Sequence, residues 1–259
     1  MSARKILLVV ARYPEEKQKI FDEYISPRNK EYALKHGYEY IEIDNSIEIK
    51  EEILQRRENP SWLNFLLYDD WIDNGEITDG DILLTLDADM FMVNMDYDFA
   101  TKKSFTYAID SGNTHCMGWH SIKINDWSKQ LVKNIVSDER YKRFRHIMNH
   151  HGHSLWDVWS EQASWYSLAG IPAHSDTPFL TIPHFGWLSD TSQDPIYSHD
   201  ELYENIEIKD TIYNVTEWFG ESDCCYNINK LYNPEEVILR HFVSGQLWNN
   251  PALINNWKK

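Results

Sequence analysis

The chain has little of three things: cysteine, basic residues and long apolar runs. Three of its 259 residues are cysteine. Two of these, Cys224 and Cys225, are adjacent, which predicts reduced thiols and shows no spacing typical of a zinc site. Lysine and arginine total 25 against 41 aspartate and glutamate residues, so the net charge is −16. This charge disfavours nonspecific binding to nucleic acid or to an anionic membrane.

No apolar run approaches the roughly twenty residues that a membrane-spanning helix needs. The first residues, MSARKILLVVARYP, combine early charges with a short predicted strand and have too few apolar residues for a signal peptide. We therefore expect a cytoplasmic protein without a stable membrane anchor. A hydrophobic content of 42% predicts a globular chain, and the lack of linkers and repeats predicts one domain over residues 1–259.

What the chain has in place of these features is an alternation of strand and helix patterns. The apolar runs and stop signals predict, in order, the elements Lys5–Val10 (strand), Glu15–His36 (helix, broken near Ser26-Pro27), Tyr38–Ile43 (strand), Trp62–Trp71 (helix) and Ile82–Leu86 (strand). This order predicts an α/β fold whose central, mostly parallel sheet is flanked by helices. Later patterns predict strands near Phe105–Asp110 and Met117–Ile124, helices over Asp126–Val136 and Leu155–Leu168, and a last apolar stretch over Val237–Val243.

The strongest functional pattern is DILLTLDADMFMVN, residues 81–94. An apolar run that reads as a buried strand delivers Asp87 and Asp89 to its end, where open α/β sheets bind their ligands. Two carboxylates separated by one small residue suit a hard divalent cation that also holds a diphosphate. The small side chain of Ala88 leaves room for an approaching phosphate. The alternative is a strand that ends in a solvated acidic turn.

A second candidate site lies at the end of the first strand, at Ala11, Arg12 and Tyr13. A turn from strand to helix at this edge of the sheet suits a nucleotide, with the Tyr13 ring available for stacking and Arg12 for a phosphate. Ordinary surface residues in a loop are an equally good interpretation.

Glu161 and Gln162 follow aromatic residues on helical spacing in WDVWSEQA, residues 156–163. The aromatic residues favour a core helix. The adjacent carboxylate and amide would suit a polyhydroxylated ligand.

Further on, His241 leaves an apolar strand and Gly245 follows. These two residues would supply an imidazole ligand and bare backbone amides for a phosphate. A lone histidine there is more often structural, so its importance depends on the two aspartates.

The segment with Lys142, Arg143 and Arg145 is the one concentrated basic region in the sequence. A solvated helix face is the favoured interpretation. The alternative is a docking site for an anionic acceptor, such as a phosphate-bearing glycan or nucleic acid.

Taken in order, six segments resemble glycosyltransferases of the GT-A fold. More narrowly, they resemble a group of galactosyl-, mannosyl- and xylosyltransferases. The segments are KHGYEYIEID, NPSWLNFLLYDDWI, LLTLDADMFMVN, GWHSIKINDWSKQLVKNI, SLWDVWSEQASWYSL and LRHFVSG. The resemblance implies that Asp87, Asp89 and His241 hold Mn²⁺ (or Mg²⁺) against the donor diphosphate. It also implies that Glu161 and Gln162 lie beside the transferred sugar, and that residues 11–13 line the nucleotide pocket.

The resemblance further implies a single GT-A (Rossmann-like) domain that moves a sugar from a nucleoside diphosphate, most simply a UDP-sugar, to an acceptor hydroxyl with retention. The acceptor would be a glycan, a protein side chain or a hydroxylated base in DNA. Two other classes remain open. One is a metal-dependent phosphohydrolase, since such enzymes also place D-x-D after a strand. The other is a noncatalytic protein that binds a nucleotide sugar.

Overall fold

The computed structural model describes residues 3–57, 60–109, 115–139, 160–170, 196–216, 234–242 and 246–258. In these ranges the strands are β1 (Lys5–Val10), β2 (Glu39–Ile43), β3 (Ile82–Asp87), β4 (Met90–Met92), β5 (Phe105–Ile109), β6 (His115–Lys123), β7 (Ile206–Lys209), β8 (Val215–Thr216) and β9 (Leu239–His241). They form a six-stranded sheet in the order β2-β1-β3-β6-β5-β7 and a three-stranded sheet in the order β4-β9-β8.

The six-stranded sheet is mixed and mostly parallel. Strand β1 pairs in parallel with both β2 and β3, and β5 pairs in parallel with β7. Strand β6 is antiparallel to both of its neighbours, β3 and β5. The predicted α/β fold with a central, mostly parallel sheet is therefore confirmed.

Both faces of this sheet are covered, which explains why β1 is apolar from Ile6 to Val10. On β1, Ile6 and Leu8 enter one hydrophobic cluster, while Leu7 and Val9 enter the other. This division follows from the alternation of side chains along a strand. All four side chains are at most 2% exposed.

Helices contribute to both clusters. The helices are α1 (Glu15–Ile20), a π-helical turn (Phe21–Ile25), α2 (Ser26–His36), α3 (Glu51–Leu54), α4 (Leu63–Asp73), α5 (Asp126–Ser137), α6 (Ser160–Ala169), α7 (His199–Asn205) and α8 (Gln246–Asn249). The predicted break near Ser26-Pro27 falls where the π-helical turn gives way to α2. Gly37 ends α2 with a φ of 71°, a left-handed conformation that glycine adopts without strain. None of the helices that the structure describes is long and apolar enough to cross a membrane.

The three-stranded sheet joins the end of the chain to the acidic turn. Strand β4 begins directly after that turn and pairs antiparallel with β9, so that Met90 lies opposite His241. Strand β8 pairs in parallel with the other edge of β9. This long-range pairing brings a histidine more than 150 positions along the chain to the carboxyl edge of the main sheet.

Candidate metal centre

Asp87 and Asp89 occupy the turn between β3 and β4. Asp87 is the last residue of β3 and pairs with Val10 at the end of β1, so its carboxylate lies at the carboxyl edge of the parallel strands. Ala88 between them is 1% exposed and packs in the hydrophobic core, which leaves the two aspartates to point away from it. The strand ends where the sequence predicted, and the binding role of the two carboxylates stays a prediction.

His241 completes a three-residue cluster with these aspartates. Its Nε2 atom lies 3.2 Å from Oδ1 of Asp89 and 3.9 Å from Oδ2 of Asp87. The three potential ligand atoms all lie within 4.8 Å of one another. The backbone N–H of Phe242 donates to the carbonyl of Asp89 at 2.9 Å, which fixes the two strands relative to each other.

The donor set fits a divalent cation such as Mn²⁺. Carboxylate oxygens suit hard ions such as Mg²⁺ and Mn²⁺, while one imidazole shifts the preference toward first-row transition metals. Solvent reaches 45% of the Asp87 side chain but only 9% of that of His241. A cation held here would therefore meet protein on one side and an incoming ligand on the other.

Gly118 on β6 provides the space for this cluster. A Cβ atom at that position would lie 3.0 Å from Oδ2 of Asp87, 2.8 Å from Cε1 of His241 and 2.7 Å from Cε of Met90. Such contacts are too short to be tolerated without movement of the ligands. Gly118 was not among the predicted site residues, although a glycine inside a predicted strand is a known signal for a close approach.

The charges of the cluster depend on each other. Burial favours the neutral imidazole, but the carboxylate of Asp89 and the thiol of Cys116 raise the pKa of His241 well above its usual value. Burial also raises the pKa of Asp87, the charge of His241 opposes this, and Asp89 and Glu161 reinforce it. Because the Asp87 side chain is 45% exposed, water screens these interactions. Without a cation, the cluster retains protons in the place where a cation would bind.

Glu161 lies on the first turn of α6, close enough to Asp87 for its charge to raise the pKa of that aspartate. Burial raises the pKa of Glu161 to about 7, while a hydrogen bond with Ser61 lowers it. Among the described residues, its Oε2 atom has no hydrogen-bond partner. A carboxyl group of this kind is typical of a functional site.

Gln162 is held differently from its neighbour. Its Oε1 atom accepts a hydrogen bond from the backbone N–H of Met117 at 3.0 Å, and its Nε2 atom donates to the hydroxyl of Tyr166 at 3.2 Å. The side chain is 6% exposed. Because Met117 precedes Gly118, these bonds anchor β6 beside the metal cluster. A place for Gln162 beside the transferred sugar stays a prediction.

The three residues after β1 have distinct environments. Ala11 is buried, and its N–H donates to the carbonyl of Ile43 at 2.9 Å. Arg12 donates through Nη1 to the carbonyl of Ile47 at 3.0 Å. Tyr13 approaches the metal cluster: burial raises its pKa, and the charges of Asp89 and Asp87 raise it further.

The Tyr13 ring also packs against Trp248 of α8, with 4.8 Å between the ring centroids and 52° between the planes. The sequence analysis did not single out Trp248, because the contact joins the two ends of the chain and leaves no local pattern. Gly245 and the basic residues Lys142, Arg143 and Arg145 lie outside the described residues, so their predicted roles stay predictions.

No family model and no curated protein matches this chain. Among solved structures, it is similar to a glycosyltransferase involved in the glycosylation of the major capsid of PBCV-1, with 15% identity, a TM-score of 0.49 and coverage of 98% of this chain and 99% of that one. It is also similar to the galactosyltransferase LgtC in complex with donor and acceptor sugar analogues, with 11% identity, a TM-score of 0.42 and coverage of 93% and 87%.

A third similar structure is a Drosophila β1,4-galactosyltransferase 7 variant in complex with manganese, UDP-Gal and xylobiose. Identity is 11%, the TM-score is 0.31, and the match covers 51% of this chain and 52% of that one. All three similar proteins are thus glycosyltransferases. Because these TM-scores are below 0.5, the fold of this chain is established by its own sheet topology, and its chemistry must be argued from its own site.

Proposed function

We propose that this chain is a metal-dependent glycosyltransferase, built on one GT-A domain, that transfers a sugar from a nucleoside diphosphate to an acceptor hydroxyl. The observation that carries the proposal is the convergence of Asp87, Asp89 and His241 at the carboxyl edge of the sheet. Two carboxylates and an imidazole around a partly open position form a site for a cation with further ligands, and a diphosphate supplies such ligands.

Asp87, Asp89 and His241 would hold Mn²⁺ or Mg²⁺, which when bound neutralises the negative charge that develops on a departing diphosphate. The protein's own residues orient this site. Hydrogen bonds from Phe242 to Asp89 and from Met117 to Gln162 fix the strands that carry and support the ligands. Gly118 leaves the space between them open.

Glu161 would lie beside the transferred sugar. Its Oε2 atom is buried, and burial raises the pKa of the carboxyl group to about 7, so it is ready to exchange a proton near neutral pH. In the retaining reaction that we favour, the departing phosphate oxygen takes the proton of the acceptor hydroxyl, and the Glu161 carboxylate stabilises positive charge on the sugar ring. In an inverting reaction, Glu161 itself would take that proton.

We propose UDP-sugars as donors and a glycan, a protein side chain or a hydroxylated DNA base as the acceptor, in the cytoplasm. A direct test measures release of the nucleoside diphosphate by purified protein from a panel of UDP- and GDP-sugars, with Mn²⁺ and with a chelator. Release from one donor, lost on chelation and increased by a glycan acceptor, is expected. Phosphate release from simple phosphomonoesters would support the hydrolase alternative instead.

The Asp89→Asn variant tests whether donor turnover depends on the metal cluster, and a control variant identifies a loss of turnover that is caused by unfolding. The variant loses a negatively charged ligand oxygen, so donor turnover should fall at least about a hundredfold. Removal of a residue that only hydrogen-bonds to a metal ligand has a smaller effect. Asp96→Asn is the matched control, because Asp96 lies in the loop after β4, is exposed and pairs with Lys35 away from the cluster. Retained turnover in Asp89→Asn would contradict the metal assignment. Tight donor binding without turnover by the wild type under all conditions would favour a noncatalytic binder.

A further inference from the structure

The Tyr13–Trp248 pair is an aromatic surface beside the metal cluster. The rings are 4.8 Å apart and tilted by 52°. Val10 at the end of β1 pairs with Asp87, so the turn that carries Tyr13 begins beside the acidic cluster. The pair therefore lies at the edge of the sheet where a diphosphate is proposed to bind.

The two rings are not equally suited to meet a ligand. Tyr13 and Trp248 are both partly buried against the second hydrophobic cluster, so they differ in ring size and in the element that holds them. Trp248 keeps partial exposure, while its neighbour Leu247 is fully buried and anchors α8 in the second hydrophobic cluster. An indole also offers the larger π face for stacking.

The position of Trp248 is coupled to the metal cluster through Arg240. This arginine is fully buried on β9, directly before His241. Its Nη2 atom donates to Oε1 of Gln246 at 3.0 Å, and its Nη1 atom donates to the carbonyl of Val215 at 2.7 Å. Because Gln246 begins α8, the strand that supplies a metal ligand also holds the helix that presents Trp248.

We propose that Trp248, rather than Tyr13, provides the face on which the base of the nucleoside diphosphate stacks, and that Tyr13 supports the indole through their mutual contact. This inference rests on the proposed function, since it assumes that Asp87, Asp89 and His241 hold the metal-bound diphosphate. A ribose separates the base from the phosphates, so the base must find its contact at some distance from the metal. Trp248 contacts Tyr13, which follows β1, and lies on α8, which follows β9, so its indole belongs to this edge of the sheet.

The test compares two probes that share a diphosphate and differ in the base. UDP or GDP and inorganic pyrophosphate are titrated, at equal Mn²⁺, into the full chain by calorimetry. In Trp248→Ala, nucleotide affinity should fall about tenfold, the loss expected for one base–aromatic stack, while pyrophosphate affinity stays within about twofold of the wild type. Trp248→Phe should recover most of the nucleotide affinity, and Trp248→Leu, which keeps apolar volume without a ring, should not.

Trp71→Ala is the matched control, because Trp71 is a partly buried tryptophan on α4 that packs on the other hydrophobic cluster. It should leave both affinities unchanged. Melting temperatures identify any variant that fails to fold, and the phenylalanine and leucine variants then decide between ring and volume. Unchanged nucleotide affinity in both Trp248→Ala and Trp248→Leu would overturn the inference, as would an equal loss for both probes. A wild type that binds neither probe would overturn the proposed function itself, and this inference with it.

Discussion

His120 and His241 are both buried, but their surroundings give them opposite properties. The His120 ring stacks on Phe65, with 4.9 Å between centroids, and burial lowers its pKa to about 4. His241 faces the carboxylates of Asp87 and Asp89, and its pKa is raised well above the usual value. Burial alone makes a histidine a neutral core residue, whereas a nearby carboxylate, here that of Asp89, makes it a cationic or metal-binding one.

The two histidines should differ most in how strongly their replacement by phenylalanine lowers Mn²⁺ affinity. His241→Phe removes a ligand and places an apolar ring against two carboxylates, so Mn²⁺ affinity should fall at least about a hundredfold. Calorimetric titration with Mn²⁺ measures this loss. If His241→Phe bound Mn²⁺ as the wild type does, the cluster would not be a metal site.

A smaller but still large effect is expected from Gly118→Ala. The added Cβ would lie 3.0 Å from Oδ2 of Asp87 and 2.8 Å from Cε1 of His241, so the ligands must move. Mn²⁺ affinity should fall about tenfold to a hundredfold, the range seen when the support of a ligand is lost. The measurement is the same titration, accompanied by thermal unfolding.

Gly75→Ala is the control for Gly118→Ala. Gly75 has a φ of 71°, and a Cβ atom added there would meet no atom within 4 Å, so alanine strains the backbone without touching the cluster. The expected result is a loss of about 1 kcal/mol of stability with normal Mn²⁺ affinity. Weaker Mn²⁺ binding by both variants would indicate that general destabilisation, and not the geometry of the cluster, controls the affinity.

Acidification should weaken Mn²⁺ binding moderately. Burial opposes protonation of His241, but Asp89 raises its pKa well above 6.5, and burial raises the pKa of Asp87. A cation must displace the protons that these groups hold, so affinity should decrease as pH falls from 8.5 to 7.5, by about tenfold for each proton displaced. Dissociation constants measured across this range test the prediction, and a pH-independent affinity would contradict it.

The smallest effect is expected for His120→Phe. Phenylalanine keeps the stack on Phe65 and removes an Nε2 atom that has no hydrogen-bond partner among the described residues. It also removes the contact between Nδ1 and the carbonyl of Met117. These effects oppose each other, so the free energy of unfolding should change by less than about 1.5 kcal/mol. Mn²⁺ affinity should stay within twofold, and a large loss would show that the two histidines act together.

Much of this architecture follows from the sequence because it depends on local patterns. The alternating strands and helices up to β3, the apolar strand that ends in Asp87, and the helix α5 are all encoded by periodicity and by stop signals. The D-x-D turn was recognisable because the strand before it fixes where its carboxylates emerge.

The remaining features depend on pairings between distant segments. Nothing near Met90 in the sequence indicates that it will lie opposite His241, and the contact between Tyr13 and Trp248 spans almost the whole chain. Gly118 resembles any other glycine in a strand until the side chains from two other strands surround it. Such tertiary contacts leave no periodic signal in the sequence.

The most direct test of the account is a titration of Mn²⁺ into the wild type, Asp89→Asn and Asp96→Asn in the presence of UDP. We expect one cation to bind per chain in the wild type and in Asp96→Asn, and at least about a hundredfold weaker binding in Asp89→Asn. Equal Mn²⁺ affinity in all three proteins would contradict the claim that Asp87, Asp89 and His241 form the metal centre of a sugar-transferring enzyme.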